Sequence, residues 1–354
     1  MYLRYLTTGR FIVVPFLMIT KNSKIFQQLF NIGNKKIRSV SKMDTLVLRL
    51  SEKEAIYALV RRDKHQWQLH DADRIIKMQG EQESAWLGRV KKALRAVKGN
   101  AHVCLQLDFD DYMLRQESSP DLTDRREKAA ALRWKLKDNQ SLDPMLHLTD
   151  VLGMGEGNGK LVNQLMLVTA PMQRVAARVH QIQELDLHID SVDIIEQSLA
   201  RLTHRREPNS EVVATIHINQ QECLICVYEN GLLISTRRIP IEQFGSSDVD
   251  ERGVSKRAVG EIGRSLDWVV RQYQVNLSLL LLDAGTSTAA YIDDIQNDLG
   301  ITIACEPLSK QFPDIPAKYL DFVHLMGSAM PAQHMDYLVF MDEQLHPKKV
   351  VFHF

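Results

Sequence analysis

The stretch from residue 165 to 202 reads LMLVTAPMQRVAARVHQIQELDLHIDSVDIIEQSLARL, and strand-like segments alternate with helix-like segments along it. The apolar run LMLVTAP ends at a proline and is followed by RVAARVHQIQEL, whose apolar residues recur at helical spacing. LHIDSVD then predicts a second strand, and IIEQSLARL predicts a second helix. This alternation predicts an α/β fold rather than a helical bundle or an all-β sandwich.

The same alternation continues on both sides of this stretch. Strand-like runs lie at 45–50, 54–60, 102–109, 212–218, 223–230, 232–241, 278–285 and 301–305. Helical patterns lie at 122–138, 254–274, 288–299 and 317–330. In helix 254–274 the apolar residues at 254, 258, 259, 262, 266, 269, 270 and 273 form one stripe, which predicts packing against a sheet.

Length and composition indicate an ordinary globular protein with more than one core. The chain has 354 residues, whereas a single core usually stops growing below about 250 to 300 residues, so we expect two lobes. A formal net charge of zero argues against a protein that coats nucleic acid. Four scattered cysteines are too few for a disulfide framework, which favours a reducing compartment and hence the cytoplasm.

The first 43 residues form a basic leader with eight Lys or Arg and no acidic residue. The apolar run 11–19 is much shorter than the roughly 20 residues of a spanning helix, and it does not have the pattern of a signal peptide. Residues 22–36 predict an amphipathic helix that lies on an anionic membrane surface. The alternative is a mis-started leader, with translation beginning at Met18 or Met43 rather than Met1.

Two segments suggest chemistry, and both have a simpler interpretation. The loop GMGEGNGK at 153–160 is glycine-rich, but it lacks the G-K-[ST] ending and no strand clearly precedes it, so we interpret it as a solvated hairpin or linker. Cys223 and Cys226 stand in a C-x-x-C spacing within a predicted strand, which places them on opposite faces. The twelve histidines show no ligand spacing, and we therefore predict no metal site and no catalytic residues.

Five segments, taken in order, resemble the PilM-type actin-like proteins of type IV pilus assembly. They are ALRWKLKD (131–138), the strand–helix repeat at 168–202, STRRIPI (235–241), EIGRSLDWVVRQY (261–273) and HLMGSAM (324–330). The resemblance is strongest to the branch that serves mannose-sensitive haemagglutinin (MSHA) pili of Gram-negative bacteria.

The resemblance implies a two-lobed actin-like architecture with RNase H-like lobes and a nucleotide-shaped cleft between them. We expect a first lobe at 44–208, a second lobe at 209–330 and a C-terminal tail at 331–354. The polar segment HRREPNSE at 204–211 marks the boundary between the lobes.

The positions that hold nucleotide in the family are altered here. The family's first hairpin carries Asp-Leu-Gly, its second Asp-Ile-Gly, and its adenosine segment Ser-Gly-Gly-Gly. Losing acids and glycines removes the metal partner and places Cβ atoms where backbone approaches phosphate. The altered or residual positions are Arg49, Ser51, His217, Asn219, Asp283 and Gly285.

We therefore expect a degenerate nucleotide site, weak or absent ATP binding and no hydrolysis, so that the protein is not an enzyme and ATP is possible but not expected as a cofactor. The first alternative is an actin-like ATPase of pilus assembly whose altered motifs still work. A small-molecule kinase is a further alternative, and the absence of an acidic base after a phosphate hairpin argues against it.

The resemblance also implies a partner. The family binds the cytoplasmic peptide of a PilN-like inner-membrane protein, which is MshJ in MSHA systems, in a groove of the first lobe. We expect Arg133 and Trp134 to contribute, although Trp134 fits a core position equally well. The protein would then be a scaffold at the inner membrane. The tail segment 340–354 resembles such a peptide and predicts self-association by strand addition, or else a loosely packed terminal strand.

Overall fold

The computed structural model describes residues 44–63, 66–96, 101–140, 142–206, 212–219, 221–241, 248–299, 303–312, 314–330 and 338. These ranges contain seven α-helices and thirteen β-strands. The helices are α1 (Glu83–Ala93), α2 (Arg125–Gln140), α3 (Met172–Glu184), α4 (Ile195–Arg206), α5 (Lys256–Tyr273), α6 (Thr288–Leu299) and α7 (Val323–Ala329). The strands are β1 (Thr45–Leu50), β2 (Glu54–Asp63), β3 (Gln66–Ile76), β4 (His102–Gln106), β5 (Met113–Ser118), β6 (His147–Gly153), β7 (Gln164–Pro171), β8 (Ser191–Asp193), β9 (Val212–Ile218), β10 (Glu222–Glu229), β11 (Leu232–Pro240), β12 (Leu279–Asp283) and β13 (Ala304–Pro307).

Two of the sheets have the same topology. The first sheet has the order β3-β2-β1-β4-β8, and the second has the order β11-β10-β9-β12-β13. In each, three consecutive strands form an antiparallel meander, and two further strands join in parallel after helical connections. The hairpin β1–β2 therefore corresponds to the hairpin β9–β10, and β4 corresponds to β12.

The central strands are buried on both faces, which explains their uninterrupted apolar runs. Every residue of β1, β9 and β12 is buried. A strand that has helices over both faces of its sheet has no solvent side, so alternation of polar and apolar residues disappears. The amphipathic helices supply the cover, and α5 buries the stripe predicted from its sequence, including Ala258, Ile262 and Val269.

A third sheet, with the order β5-β7-β6, is packed beneath α2. Ala129, Leu132 and Leu136 of α2 form a separate apolar cluster with Leu165 and Leu167 of β7. The sequence predicts α2 and β7, but it does not predict the flanking strands β5 and β6. Strand β5 has no buried residue, and the buried run of β6 includes the polar Thr149 and Asp150, so neither strand has an apolar run or a regular alternation in its sequence.

The short helix α7 closes the first lobe, although it follows the second lobe in the chain. It packs on α4 and on β1 and β2. Gly327 allows this approach because a Cβ there would collide with the backbone carbonyl of Ser198 in α4. A buried ion pair joins Asp193 to Arg201 at 2.7 Å, and Ser328 donates to the same carboxylate at 2.6 Å. The predicted lobe boundaries stay a prediction.

The glycine-rich loop connects β6 to β7, which pair as an antiparallel hairpin, so the hairpin interpretation is confirmed. The loop is only partly solvated, because it also docks on the second sheet. Strand β6 precedes the loop directly. Met154 forms a parallel bridge with Leu233, and the backbone N–H of Gly157 donates to the Glu229 carboxylate at 2.9 Å. Gly155 and Gly157 are buried by this contact because it pairs their backbone with β10 and β11.

Other predicted elements differ mainly at their ends. The helix predicted at 317–330 consists of a 3₁₀ segment, Ala317–Phe322, followed by α7. The strand predicted at 301–305 lies at Ala304–Pro307 instead. The strand β3 and the helix α1 had no counterpart among the predictions.

Several predictions fall outside the described residues. The basic leader 1–43 with its amphipathic segment 22–36 lies there, as do most of the boundary 204–211 and all of the tail 331–354 except Leu338. Among the helices that the structure describes, none has the length and apolar character needed to cross a membrane.

We predict that Asp193→Ala lowers the free energy of unfolding by about 3–5 kcal/mol, because it leaves the Arg201 guanidinium buried without its counter-ion. The midpoint of urea unfolding measures this loss. Asp267→Ala is the matched control, since the Asp267–Arg271 pair is 3.8 Å apart and largely exposed, and we expect a change of at most about 0.5 kcal/mol. Equal midpoints for the two variants would contradict the proposed importance of the buried pair.

Candidate functional site: where the two sheets meet

The ends of the two corresponding hairpins define the candidate site. In the first sheet, Arg49 of β1 stands opposite Gln106 of β4. In the second, His217 of β9 stands opposite Asp283 of β12. All four side chains are buried, so polar groups of unusual density lie where the carboxyl ends of the central strands come together.

A cluster of two histidines and one aspartate lies at the second of these ends. His217 Nδ1 is 2.9 Å from Asp283 Oδ2 and makes a hydrogen bond with it. His324 Nδ1 of α7 is 3.5 Å from the same oxygen. The two imidazole rings are tilted against each other with centroids 4.2 Å apart. The cluster joins the second sheet to α7, which belongs to the packing of the first.

Burial sets the protonation of this cluster. Removal from water, together with the neighbouring His217, lowers the pKa of His324 to about 3. Burial alone raises the pKa of Asp283, but the hydrogen bond from His217 and the contact with His324 outweigh it and hold that pKa below its ordinary value. His324 is therefore neutral and Asp283 ionised at neutral pH.

Both hairpin turns use side chains to bond their own backbone. Ser51 Oγ accepts from the N–H of Glu54 at 3.0 Å, and Asn219 Oδ1 accepts from the N–H groups of Gln221 and Glu222 at 2.8 and 2.9 Å. These are ST- and Asx-type turns. In a phosphate-binding hairpin such N–H groups face the ligand oxyanion. Here the chain's own oxygens already occupy them.

Gly285 lies in a turn whose backbone has a φ of 55°, a conformation that favours glycine. The Asp321 carboxylate fills the space in which a Cβ at this position would stand. The glycine thus allows Asp321 to lie close to the backbone of residue 285. Asp321 lies against the segment 283–286, which the resemblance assigns to contact with adenosine.

Charged side chains line the opposite wall. Arg49 Nε is 3.9 Å from Asp108. Arg238 stacks 4.2 Å over the ring of Phe109 and pairs with Glu196 at 3.0 Å, which ties β11 to the first lobe. Burial raises the pKa of Glu222 to about 7, although the charges of Arg238 and Arg49 oppose the shift.

A separate groove lies between the third sheet and the second. Its cavity has a volume of about 450 Å³. One wall contains Leu114 of β5 and the other contains Ile234 of β11, while Trp268 and Tyr273 of α5 close one side. Both β5 and β11 are edge strands. The groove is lined mainly by apolar side chains, with polar ones such as Thr236 and Arg237 among them, and it is flanked by two edge strands.

Arg133 and Trp134 do not lie at this groove. Arg133 is buried and its Nε donates to the carbonyl of Pro144 at 2.5 Å, whereas Trp134 is 59% exposed. Leu165 and Leu167 of β7 face α2, and Met166 lines the groove. The two predicted residues thus occupy the opposite face of the third sheet. Arg133 has a structural bond, and Trp134 stays available on the surface.

The cysteines of the C-x-x-C spacing are core residues of β10. Cys223 and Cys226 are both buried. Burial raises the pKa of the Cys226 thiol to about 12 and that of Cys223 well above its ordinary value. Metal ligands need thiolates, and these thiols stay protonated.

Sequence reasoning missed four residues of the two sites. They are His324, Glu222, Arg238 and Trp268. Trp268 had a usable signal, because it falls outside the apolar stripe of its helix and is 53% exposed. The others reach their sites only through the tertiary fold.

Comparison with solved structures identifies the fold. A PilM-PilN type IV pilus biogenesis complex is similar with a TM-score of 0.60 and 14% identity, over 80% of this chain and 97% of the other. A Bacteroides thetaiotaomicron protein with an actin-like ATPase fold gives a TM-score of 0.47 at 10% identity, over 81% and 96% of the two chains. The cytoplasmic domain of EpsL, from the type II secretion system of Vibrio cholerae, gives 0.43 at 12% identity, over 68% and 82%.

No family model matches the sequence, and no curated protein matches it either. The fold itself is clear. The chain has the two-lobed, actin-like α/β fold of the PilM-containing complex, and the predicted fold class is confirmed.

We predict that Glu222→Gln changes the pH dependence of stability. The pKa of Glu222 is raised from 4.5 to about 7 on folding. The contribution of protonated Glu222 to the free energy of unfolding is therefore full below its ordinary pKa, and it is lost as the pH rises through 7. Between about pH 4 and about pH 8 the variant should gain of the order of 2 kcal/mol relative to wild type.

Urea midpoints across this pH range measure the gain. Glu52→Gln, in the exposed turn of the other hairpin, is the matched control and should keep a constant difference from wild type. If the two variants show the same pH profile, the raised pKa of Glu222 is wrong.

Proposed function

We propose that this protein is a PilM-like scaffold of type IV pilus assembly, the counterpart of MshI in MSHA systems. It binds the cytoplasmic peptide of a PilN-like inner-membrane protein, which is MshJ in those systems, and it does not hydrolyse ATP. The single observation that supports the proposal best is the fold, since the similar solved structure is a PilM-PilN complex. The five sequence segments that resemble the family point to the same system.

The apolar groove offers a binding site that suits an extended peptide. Edge strands carry backbone N–H and C=O groups outside the sheet ladder, and an added strand satisfies them. The groove places two such edges beside apolar side chains from β7, β10 and α5: the edge of β5, and the part of β11 beyond Leu233, which is bridged to Met154. Main-chain bonds to an edge would supply affinity, and pockets beside Trp268 would supply specificity. The face around Trp134 is the alternative surface.

A scaffold without nucleotide is supported by what fills the family's nucleotide positions. The hairpin N–H groups at Glu54 and Glu222 are bonded to Ser51 and Asn219. His217 replaces the acidic residue, and Asp321 stands over Gly285. A triphosphate would have to displace hydrogen bonds and meet added negative charge.

We further propose that the protein is cytoplasmic and peripheral to the inner membrane, with residues 22–36 as the membrane-surface helix. We also propose that the tail adds to a groove or sheet edge of its own or of a neighbouring copy. The N–H of Leu338 donates to the carbonyl of Val192 at 3.1 Å within the same chain, at the edge strand β8 of the first sheet, and this contact supports the chain's own edge as the acceptor.

We predict that Trp268→Ala weakens binding of the partner peptide by about 2 kcal/mol, or roughly 30-fold in Kd, because an exposed aromatic beside a groove is a typical anchor. Fluorescence anisotropy of a labelled peptide measures this, with the N-terminal cytoplasmic segment of the PilN-like protein encoded beside this chain as probe. Trp134→Ala is the matched control and should bind like wild type. Loss of binding in the Trp134 variant alone would move the partner site to the α2 face.

We predict no binding of magnesium-ATP in isothermal titration calorimetry at protein concentrations that detect micromolar affinity, because the hairpin N–H groups are taken. A nucleotide-binding actin-like protein in the same buffer serves as positive control. A micromolar Kd for the wild type would contradict the degenerate site and favour the active ATPase.

A further inference from the structure

The cluster of His217, Asp283 and His324 contains more hydrogen-bonding capacity than its surroundings use. Each imidazole has two ring nitrogens, and only His217 Nδ1 makes a hydrogen bond, to Asp283. His217 Nε2 and both nitrogens of His324 have no hydrogen-bond partner among the described residues. All three side chains are at most 5% exposed. An unsatisfied buried polar group costs about 1–3 kcal/mol, and His324 Nδ1, 3.5 Å from Asp283 Oδ2, is the one of these three atoms that an ion held beside Asp283 would satisfy.

We propose that His217, Asp283 and His324 bind a divalent transition-metal ion, with zinc as the first candidate. Two imidazoles and one carboxylate form a common protein ligand set for zinc and for iron(II). Calcium and magnesium prefer all-oxygen sites, which this cluster does not provide. The proposal goes beyond the scaffold function and departs from the sequence prediction of no metal site.

The geometry is close to that of a metal centre. Each residue offers one ligand atom, and the three atoms lie within 4.8 Å of one another. Ligands at about 2.0–2.2 Å from zinc stand about 3.3 Å apart in a tetrahedral site. The contacts of Asp283 Oδ2 with the two histidines, at 2.9 and 3.5 Å, bracket that separation. Side-chain rotations that move ligand atoms by about 1 Å complete the set.

The composition of the cluster also suits a cation. Its one carboxylate, Asp283, is buried beside the two imidazoles and can ligate an ion as an anion. Asp283 supplies one negative charge beside the ion, and Asp108, 3.9 Å from Arg49, offsets the charge of that guanidinium.

The position of the cluster suggests what the ion does. His217 and Asp283 come from strands β9 and β12 of the second sheet, and His324 comes from α7, which packs on the first sheet. A bound ion would connect the two lobes where a nucleotide connects them in related folds. Since the ligands are buried, the ion would have a structural role.

Titration of the full-length protein with cobalt(II) tests the proposal. The protein is stripped with a chelator, dialysed and titrated while its visible absorption is followed. We expect one equivalent of cobalt per chain with the ligand-field bands of a four- or five-coordinate site, and we expect zinc to displace it and to raise the Tm. Absence of these bands in the folded wild type would overturn the proposal.

Variants separate the cluster from other histidines. His324→Gln and Asp283→Asn preserve side-chain size and should each bind cobalt at least tenfold more weakly, with circular dichroism showing that they are folded. His180→Gln, at an exposed histidine of α3, is the matched control and should bind like wild type. Wild-type affinity in both cluster variants would assign any bound cobalt to another site and overturn the proposal.

Discussion

The buried ion pair between Asp193 and Arg201 is the interaction on which the arrangement of the sites depends. It joins the last strand of the first sheet to α4, and Ser328 and the carbonyl of Gly327 bind the same two side chains. A pair with both partners fully buried is stable only when its remaining hydrogen bonds are satisfied, and α7 supplies them. The segment HLMGSAM (324–330) is thereby held against α4, β1 and β2. His324 reaches the second sheet only because α7 is held there.

The consequence is a cleft that the protein fills with its own groups. The turn N–H groups of both hairpins, the space above Gly285 and the carboxylate at Asp283 are each matched by a side chain of the same molecule. Contacts of this kind between groups of the same molecule stabilise one relative position of the two lobes. They suit a protein that presents a fixed surface to partners better than one that opens and closes around a nucleotide.

The sequence predicted the elements that bury a continuous or periodic apolar pattern. Strands β1, β9 and β12 and helix α5 are of this kind, because the apolar residues that they bury are adjacent or regularly spaced in the sequence. Strand β5 was missed because none of its residues is buried, and β6 was missed because its buried run contains the polar Thr149 and Asp150 and so does not look apolar in sequence. The site was predicted only in part. Hairpin positions such as His217 and Asn219 followed from the family resemblance. His324 is distant from them in sequence and comes close to them only in the folded protein, where the Asp193–Arg201 ion pair binds α7.

The central claim is that the groove binds the partner peptide and that the two hairpins bind no nucleotide. Hydrogen–deuterium exchange of the full-length protein tests it most directly, because one experiment reports on both places. Addition of the partner peptide should slow exchange in β5 and β11, whose edge N–H groups become bonded, while addition of magnesium-ATP should leave the hairpins at 51–54 and 219–222 unchanged. Protection of these two hairpins by magnesium-ATP, with no protection of β5 or β11 by the peptide, would contradict the account.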